Sequence, residues 1–330
     1  MVLRTFGVAV AYYISALVGL VTAPLGGPVS SLWMPAGVAL VCLLAFGIRT
    51  WTLSGIAVGA LAATIPVLPL SAALLATVGN TLAPVCAYLL LTMIGYRWEL
   101  DRVKDVLALV LVGAFGAMMI SATFGAVAIS ALTDRAPAEF LQVWAVSWSS
   151  DALGVLVVTP FLPVARKFRL VRSAGWQRWL EMALLLLVTF AVSTVATRTF
   201  GLLFLAFPLV IWAAWRFQLS GVAPCVLIVS AVAVDAAAQG YGVFTARPLL
   251  ANILILQVFN GTIVLSGLFL AVLITEWKKS RAAVEQTVTT LATAVGHMQS
   301  SMLPHQAYLS NLRDTDGREN QQGGAPDPGD

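Results

Sequence analysis

Charge is what this sequence is short of. Only 10% of its 330 residues are Asp, Glu, Lys or Arg, whereas 59% are hydrophobic and the mean hydropathy is +0.90. A water-soluble domain carries about a quarter of its residues charged. A dispersed soluble fold is therefore excluded, and most of the chain has lipid as its solvent. Histidine is nearly missing too. His297 and His305 both lie near the C-terminus, which leaves no imidazole cluster for a transition metal inside the apolar region. Cysteine is equally sparse. Cys42, Cys86 and Cys225 fall inside apolar stretches and read as small core residues, not as disulfides or metal ligands. No cofactor, metal or nucleic acid is expected.

What is present in quantity is apolar sequence. Ten hydrophobic stretches cover 5–24, 34–48, 51–69, 72–95, 105–130, 140–163, 180–197, 200–214, 219–239 and 250–275. Crossing the hydrocarbon layer takes roughly 20 apolar residues. The fold expected is an all-α polytopic transmembrane helical bundle of about ten spans, with eight to ten as the range. The second and eighth stretches are short enough for half-helices or re-entrant pieces. The first is too long for a signal-peptide core and lacks a small-x-small cleavage site, so it reads as a retained helix.

The charges that exist are sorted by side. With the N-terminus cytoplasmic, the inner connections hold Arg4, Arg49, Arg97, Arg102, Lys104, Arg166, Lys167, Arg169, Arg172, Arg178, Arg216, Lys278, Lys279 and Arg281. The outer connections hold Arg135, Arg198 and Arg247. That asymmetry obeys the positive-inside rule and predicts a multi-pass plasma-membrane protein with both termini cytoplasmic. Connections are short throughout, so a ligand must bind inside the bundle or at its outer mouth.

Few polar groups enter the apolar layer, and they carry the functional reading. Asp151 lies mid-span in Trp148-Ser149-Ser150-Asp151, where a carboxylate costs at least about 2.5–3.5 kcal/mol unless paired or hydrated. Either a ligand, proton or cation site or a structural helix–helix bond accounts for it, with the Ser149 and Ser150 hydroxyls as caps. Asn80, in Gly79-Asn80-Thr81, needs a partner on another helix, and a direct Asn80–Asp151 contact would satisfy both. Asp235 sits near the outer end of the ninth span. Asn252, Gln257 and Asn260 in the last span spread over a sector of about 140°; they line a cavity, bond neighbouring helices or pair two copies. Trp33 suits an interface anchor and Pro35 a first helical turn, while Trp33 and Trp148 together are candidates to wall one site. Gly55-x-x-x-Gly59 allows close helix packing.

Three segments resemble the MASE1 family of bacterial integral membrane sensor domains, in the family's order. They are Leu32-Trp33-Met34-Pro35-Ala36-Gly37-Val38-Ala39-Leu40, Gly79-Asn80-Thr81-Leu82, and Trp148-Ser149-Ser150-Asp151-Ala152-Leu153-Gly154-Val155-Leu156. The chain departs from the family's pattern at Met34, where a second proline is usual, at Ser150, where Gly is common, and at Ala83, where an acidic residue often stands. The resemblance, over residues 5–275, implies a membrane-embedded sensory input. It also implies fusion, in most members, to a cytoplasmic kinase, cyclase, phosphodiesterase or phosphatase, and it carries no ligand identity.

Beyond the membrane the pattern stays helical. Val284, Val288, Leu291, Val295, Met298 and Met302 step by 4, 3, 4, 3 and 4, a heptad seam. A parallel homodimer helix satisfies it, and so does an amphipathic helix lying on the membrane. Residues 276–304 are thus expected as a cytoplasmic helix and 305–330, ending Gly-Ala-Pro-Asp-Pro-Gly-Asp, as a disordered tail. No catalytic output domain fits after Pro304. His297 lacks the acidic-Arg context of a phosphoacceptor. The reading is a receptor-like input, without its own catalysis, that acts on a separate cytoplasmic output protein, with a small molecule or ion of unspecified identity as ligand. A secondary transporter using Asp151 and Asp235 is the alternative.

Overall fold

The computed structural model describes residues 1–21, 30–132, 140–171 and 175–322. They are helical nearly throughout. In chain order the helices are α1 (Val2–Val21), α2 (Met34–Phe46), α3 (Thr50–Thr64), α4 (Leu70–Met93), α5 (Val103–Ala108), α6 (Ala117–Leu132), α7 (Phe140–Val158), α8 (Phe161–Val171), α9 (Trp176–Val195), α10 (Ala206–Phe217), α11 (Leu219–Gln239) and α12 (Leu249–Gln322). A π-helical stretch, Leu109–Gly116, joins α5 to α6 into one long rod. Seven helices among the described residues are long and apolar enough to cross a membrane, and three further apolar helices are shorter. The fold is an all-α polytopic bundle.

Local sequence explains the short members. Pro35 opens α2, where a missing amide donor costs nothing, and Gly47 closes it with φ of 76°. The 13 residues between rise only about 20 Å. α3 is short as well, at 15 residues, although the sequence reads as a full span to residue 69. Thr64 Oγ1 turns back onto the carbonyl of Ala60 at 2.9 Å, and Pro66 cannot donate to a further helical turn.

The interior is built from small residues. Ala36, Ala39, Ala60, Ala72, Ala83, Ala87, Ala114, Ala122, Ala126 and Ala213 are buried, whereas Leu74, Val78, Leu82, Leu187, Phe190, Ile211 and Trp215 are exposed. A water-soluble core would sort these the other way. In lipid, helix association depends on close backbone approach, which small side chains permit.

Three glycine contacts set the crossings. Gly55 and Gly59 of α3 lie against α1, where an added Cβ would stand 2.8 Å from Val8 Cβ and 2.8 Å from Tyr12 Cβ. Gly79 of α4 lies against Phe124 of α6. Gly154 of α7 receives the Trp33 carbonyl at the start of α2, and Gly37 of α2 receives the Gly154 carbonyl in return. That reciprocal contact brings the second and sixth apolar stretches together.

The chain divides into two units, Met1–Glu276 and Trp277–Asp330. In the second, α12 is helical as far as Gln322, through Pro304 and through the start of the stretch expected to be disordered. Residues 323–330 and the side chains of Met298 and Met302 lie outside the described residues. Val284, Val288, Leu291 and Val295 are 55–60% exposed.

Replacing Gly154 by Ala puts a methyl onto the Trp33 carbonyl. We expect it to destabilise the detergent-solubilised protein by about 1–3 kcal/mol, the range for overpacking, read as a lowered melting temperature. Gly7→Ala, where nothing lies within 4 Å, should leave melting unchanged or slightly raised.

Candidate functional site

A cavity of about 90 Å³ opens at the end of the bundle where α1, α3 and α6 finish and α2, α4 and α7 begin. Seven polar side chains stand on its wall: Ser30, Thr64, Asn80, Ser121, Ser147, Ser150 and Asp151. Trp33, Leu20, Val67, Leu68, Ala76, Gly125 and Ile129 complete it.

Each polar group arrives by a specific packing event. The Trp33 N–H donates to the Ser150 carbonyl at 3.2 Å, and this bond is possible because Gly37 and Gly154 let α2 lie on α7. The next residue along α7 is Asp151, only 5% exposed. Ser30 is fixed on the other side, its hydroxyl donating to the Gly19 carbonyl of α1 at 2.7 Å. Asn80 enters from α4, held by the Gly79 crossing onto α6.

Asn80 and Asp151 line one cavity, but they do not meet directly as the sequence suggests. Helix α6 packs against both α4 and α7 and interposes Ser121. The Ser121 hydroxyl donates to Asn80 Oδ1 at 2.9 Å, and the same side chain faces the Asp151 carboxyl. Nor do the two neighbouring serines cap the acid. Ser149 Oγ donates to the Ala145 carbonyl of its own helix at 2.9 Å, the default partner of a helical hydroxyl. Ser150 is 1% exposed and its Oγ has no hydrogen-bond partner. Beneath the site, the fully buried Tyr12 hydroxyl approaches the Trp33 side chain and Asp151 without reaching hydrogen-bond geometry.

Trp33 and Trp148 do not wall a common site. Trp148 points to the far side of α7, where its indole N–H donates to the Phe115 carbonyl at 2.7 Å and its ring stacks on Trp144 at 5.4 Å. Phe115 belongs to the π-helical stretch. Such stretches shift backbone groups out of the regular α register, and here a carbonyl of that stretch serves the neighbouring helix.

The secondary candidates scatter. Asp235 is engaged by Arg198 at 2.6 Å and by the Gln239 amide at 2.7 Å, half-exposed and away from the cavity wall. Asn252 donates to the Phe244 carbonyl at 3.0 Å. Gln257 donates to the Ser31 carbonyl at 3.1 Å, which ties α12 to the strap carrying Ser30 and Trp33. Asn260 is 0% exposed, and neither atom of its amide has a partner among the described residues. Gln257 and Asn260 thus take different roles despite their helical spacing. No group of three or more His, Cys, Asp or Glu able to hold a metal occurs among the described residues.

Sequence reasoning missed Ser30, Thr64, Ser121 and Ser147 on the cavity wall, the Ser31 carbonyl and Tyr12 beside it, and Glu276 at the opposite end. There Glu276 of α12 accepts the Val103 N–H at 2.9 Å, filling an orphan donor at the start of α5. Beside it, Asp105 Oδ1 accepts the Arg97 N–H at 3.2 Å. Burial first, then the charges of Asp105 and Glu99, push the Tyr96 phenol above its ordinary range.

A double-mutant cycle on Asn80→Ala and Ser121→Ala tests the bridge. We expect a coupling of about 0.6 kcal/mol, the average for hydrogen bonds between membrane helices, from unfolding in mixed micelles. Additive effects would show that the two side chains do not interact.

The MASE1 family model matches residues 5–278, a range that contains every residue on the cavity wall. No curated protein and no solved structure matches the chain. The match covers most of the sequence and spans all three segments that set the α2–α7 and α4–α6 crossings; the chain belongs to the MASE1 family of membrane-associated sensor domains.

Proposed function

We propose that this chain is the input element of a bacterial signalling pathway: the Asp151 cavity receives the stimulus, and α12 carries the response to a separate cytoplasmic output protein. The observation that supports this reading is the bond from Gln257 of α12 to the Ser31 carbonyl. Ser31 lies between two cavity residues, Ser30 and Trp33. A change at Asp151 acts on Trp33 through the Ser150 carbonyl, on Ser31 through the chain, and on α12 through Gln257. Two points of one helix, 19 residues apart, are then held by polar contacts, Gln257 to the strap and Glu276 to α5. An α12 that shifts by a fraction of a turn must exchange both.

The charge asymmetry supports an orientation with the cavity mouth outside and both termini in the cytoplasm. The exposed apolar seam Val284, Val288, Leu291 and Val295 supports a parallel dimer as the form in which movement is delivered, because a seam of this spacing is stable in water only when covered. Transport through Asp151 and Asp235 together is less well supported, since Asp235 is paired with Arg198 off the cavity wall.

Two outcomes are expected. In membranes, Leu291→Cys should cross-link between copies, and adding Val288→Lys should lower the yield several-fold; equal yields would remove the dimer. A spin label at Ala283 should change mobility or pair distance when Asp151 becomes Asn. The same change made in a Gln257→Leu background should leave the label unmoved. A response that persists without Gln257 would show that the signal does not travel by this bond.

A further inference from the structure

We infer that the ligand of this cavity is a single monovalent cation, held by the Asp151 carboxylate with the Ser150 and Ser121 hydroxyl oxygens and the Asn80 amide oxygen. The inference rests on the reading of the cavity as the receiving site and names the chemistry of what it receives.

Charge balance comes first. Among the described residues on the cavity wall, Asp151 is the one acid and none is cationic. Two other carboxylates within the spans have an arginine each, Asp235 with Arg198 and Glu181 with Arg216. A carboxylate in an apolar layer requires a compensating charge. One positive charge neutralises the site, whereas a divalent ion would leave it net positive in the same layer.

Proton counting comes second. Ser121 has one hydroxyl proton and two acceptors within reach, Asn80 Oδ1 and the Asp151 carboxyl, so whichever of the two it does not serve faces the Ser121 oxygen's lone pairs. Two oxygens facing one another repel unless something positive lies between them. Ser150 adds a third oxygen. Its Oγ is buried on the wall and unpartnered, and its backbone carbonyl is already used by Trp33. A buried hydroxyl left unmade costs about 1–3 kcal/mol, which a bound cation relieves.

Size and ligand type come third. On a measure where one water needs about 10–15 Å³, the cavity of about 90 Å³ admits an alkali ion with a few waters, or a small primary ammonium beside the Trp33 ring. It lies well below the roughly 300 Å³ of ordinary organic-ligand pockets. Among the described residues no His, Cys or second carboxylate is on the wall, so neither a transition metal nor calcium finds its usual donors there.

The test uses the full chain in lipid nanodiscs, with N-methylglucamine chloride as the background salt. Sodium, potassium and methylammonium chlorides are titrated at constant ionic strength, with melting temperature and direct binding as readouts. We expect at least one of the three to raise melting saturably and to bind once per chain. Asp151→Asn should abolish binding, and Ser150→Ala, which keeps the charge, should weaken it about fivefold, the equivalent of one ordinary hydrogen bond. The inference is overturned if none of the three exceeds the background salt, if both variants bind unchanged, or if melting follows pH alone, which would make the ligand a proton. The spin label at Ala283 separates this from the relay. Binding without movement of the label sustains the cation and removes the relay; movement in Asp151→Asn without any cation binding does the reverse.

Discussion

The contact between α2 and α7 is the constraint on which the site depends. The Trp33 carbonyl occupies the place a side chain would take at position 154, and the Gly154 carbonyl does the same at position 37. With the two backbones this close, the Trp33 N–H reaches Ser150, and the acid that follows is delivered beside the strap instead of toward lipid. Larger residues at either glycine would part the helices, release the strap and open the carboxylate to another environment. Gly79 does comparable work for Asn80 on the opposite wall.

Around this crossing the bundle is arranged as its solvent requires. Small side chains fill the contacts and bulky apolar ones face outward. Backbone groups are satisfied within helices, as a low-dielectric surrounding demands. Departures from regular helix fall where side chains exploit them: the π stretch supplies a carbonyl to Trp148, and the start of α5 is capped by Glu276. Of the polar groups left without partners, Ser150 sits on the cavity wall and Asn260 on the helix that leads away from it.

Much of this was legible before any coordinates. Apolar run lengths gave the class of fold, and the three motif segments named the elements that meet at the cavity. The finer wiring was not. Asn80 and Asp151 were rightly brought to one place but paired too directly, because Ser121 gave no warning. A serine in an apolar run ordinarily bonds its own helix, as Ser149, Thr77, Thr81 and Thr189 do here. Nothing in the local sequence marks a hydroxyl that crosses to a neighbour, as Ser121 does. Trp148 is a candidate to share a site with Trp33 because it lies three residues before Asp151 on a helix, yet the Phe115 carbonyl and the Trp144 ring hold it off the cavity wall. The link from Gln257 to Ser31 joins residues 226 positions apart, a distance at which single-sequence periodicity carries no information.

The central claim is that Asp151 faces a water-accessible polar cavity and not the hydrocarbon. Thiol accessibility measures this directly in a background with Cys42, Cys86 and Cys225 replaced. Cysteine at Ser147, on the cavity wall, should react with a charged, membrane-impermeant reagent added from one side only, and cysteine at Leu82, on an exposed apolar face, should not react. Equal silence at both positions would mean that the wall is dry and that the acid has no aqueous route to any ligand.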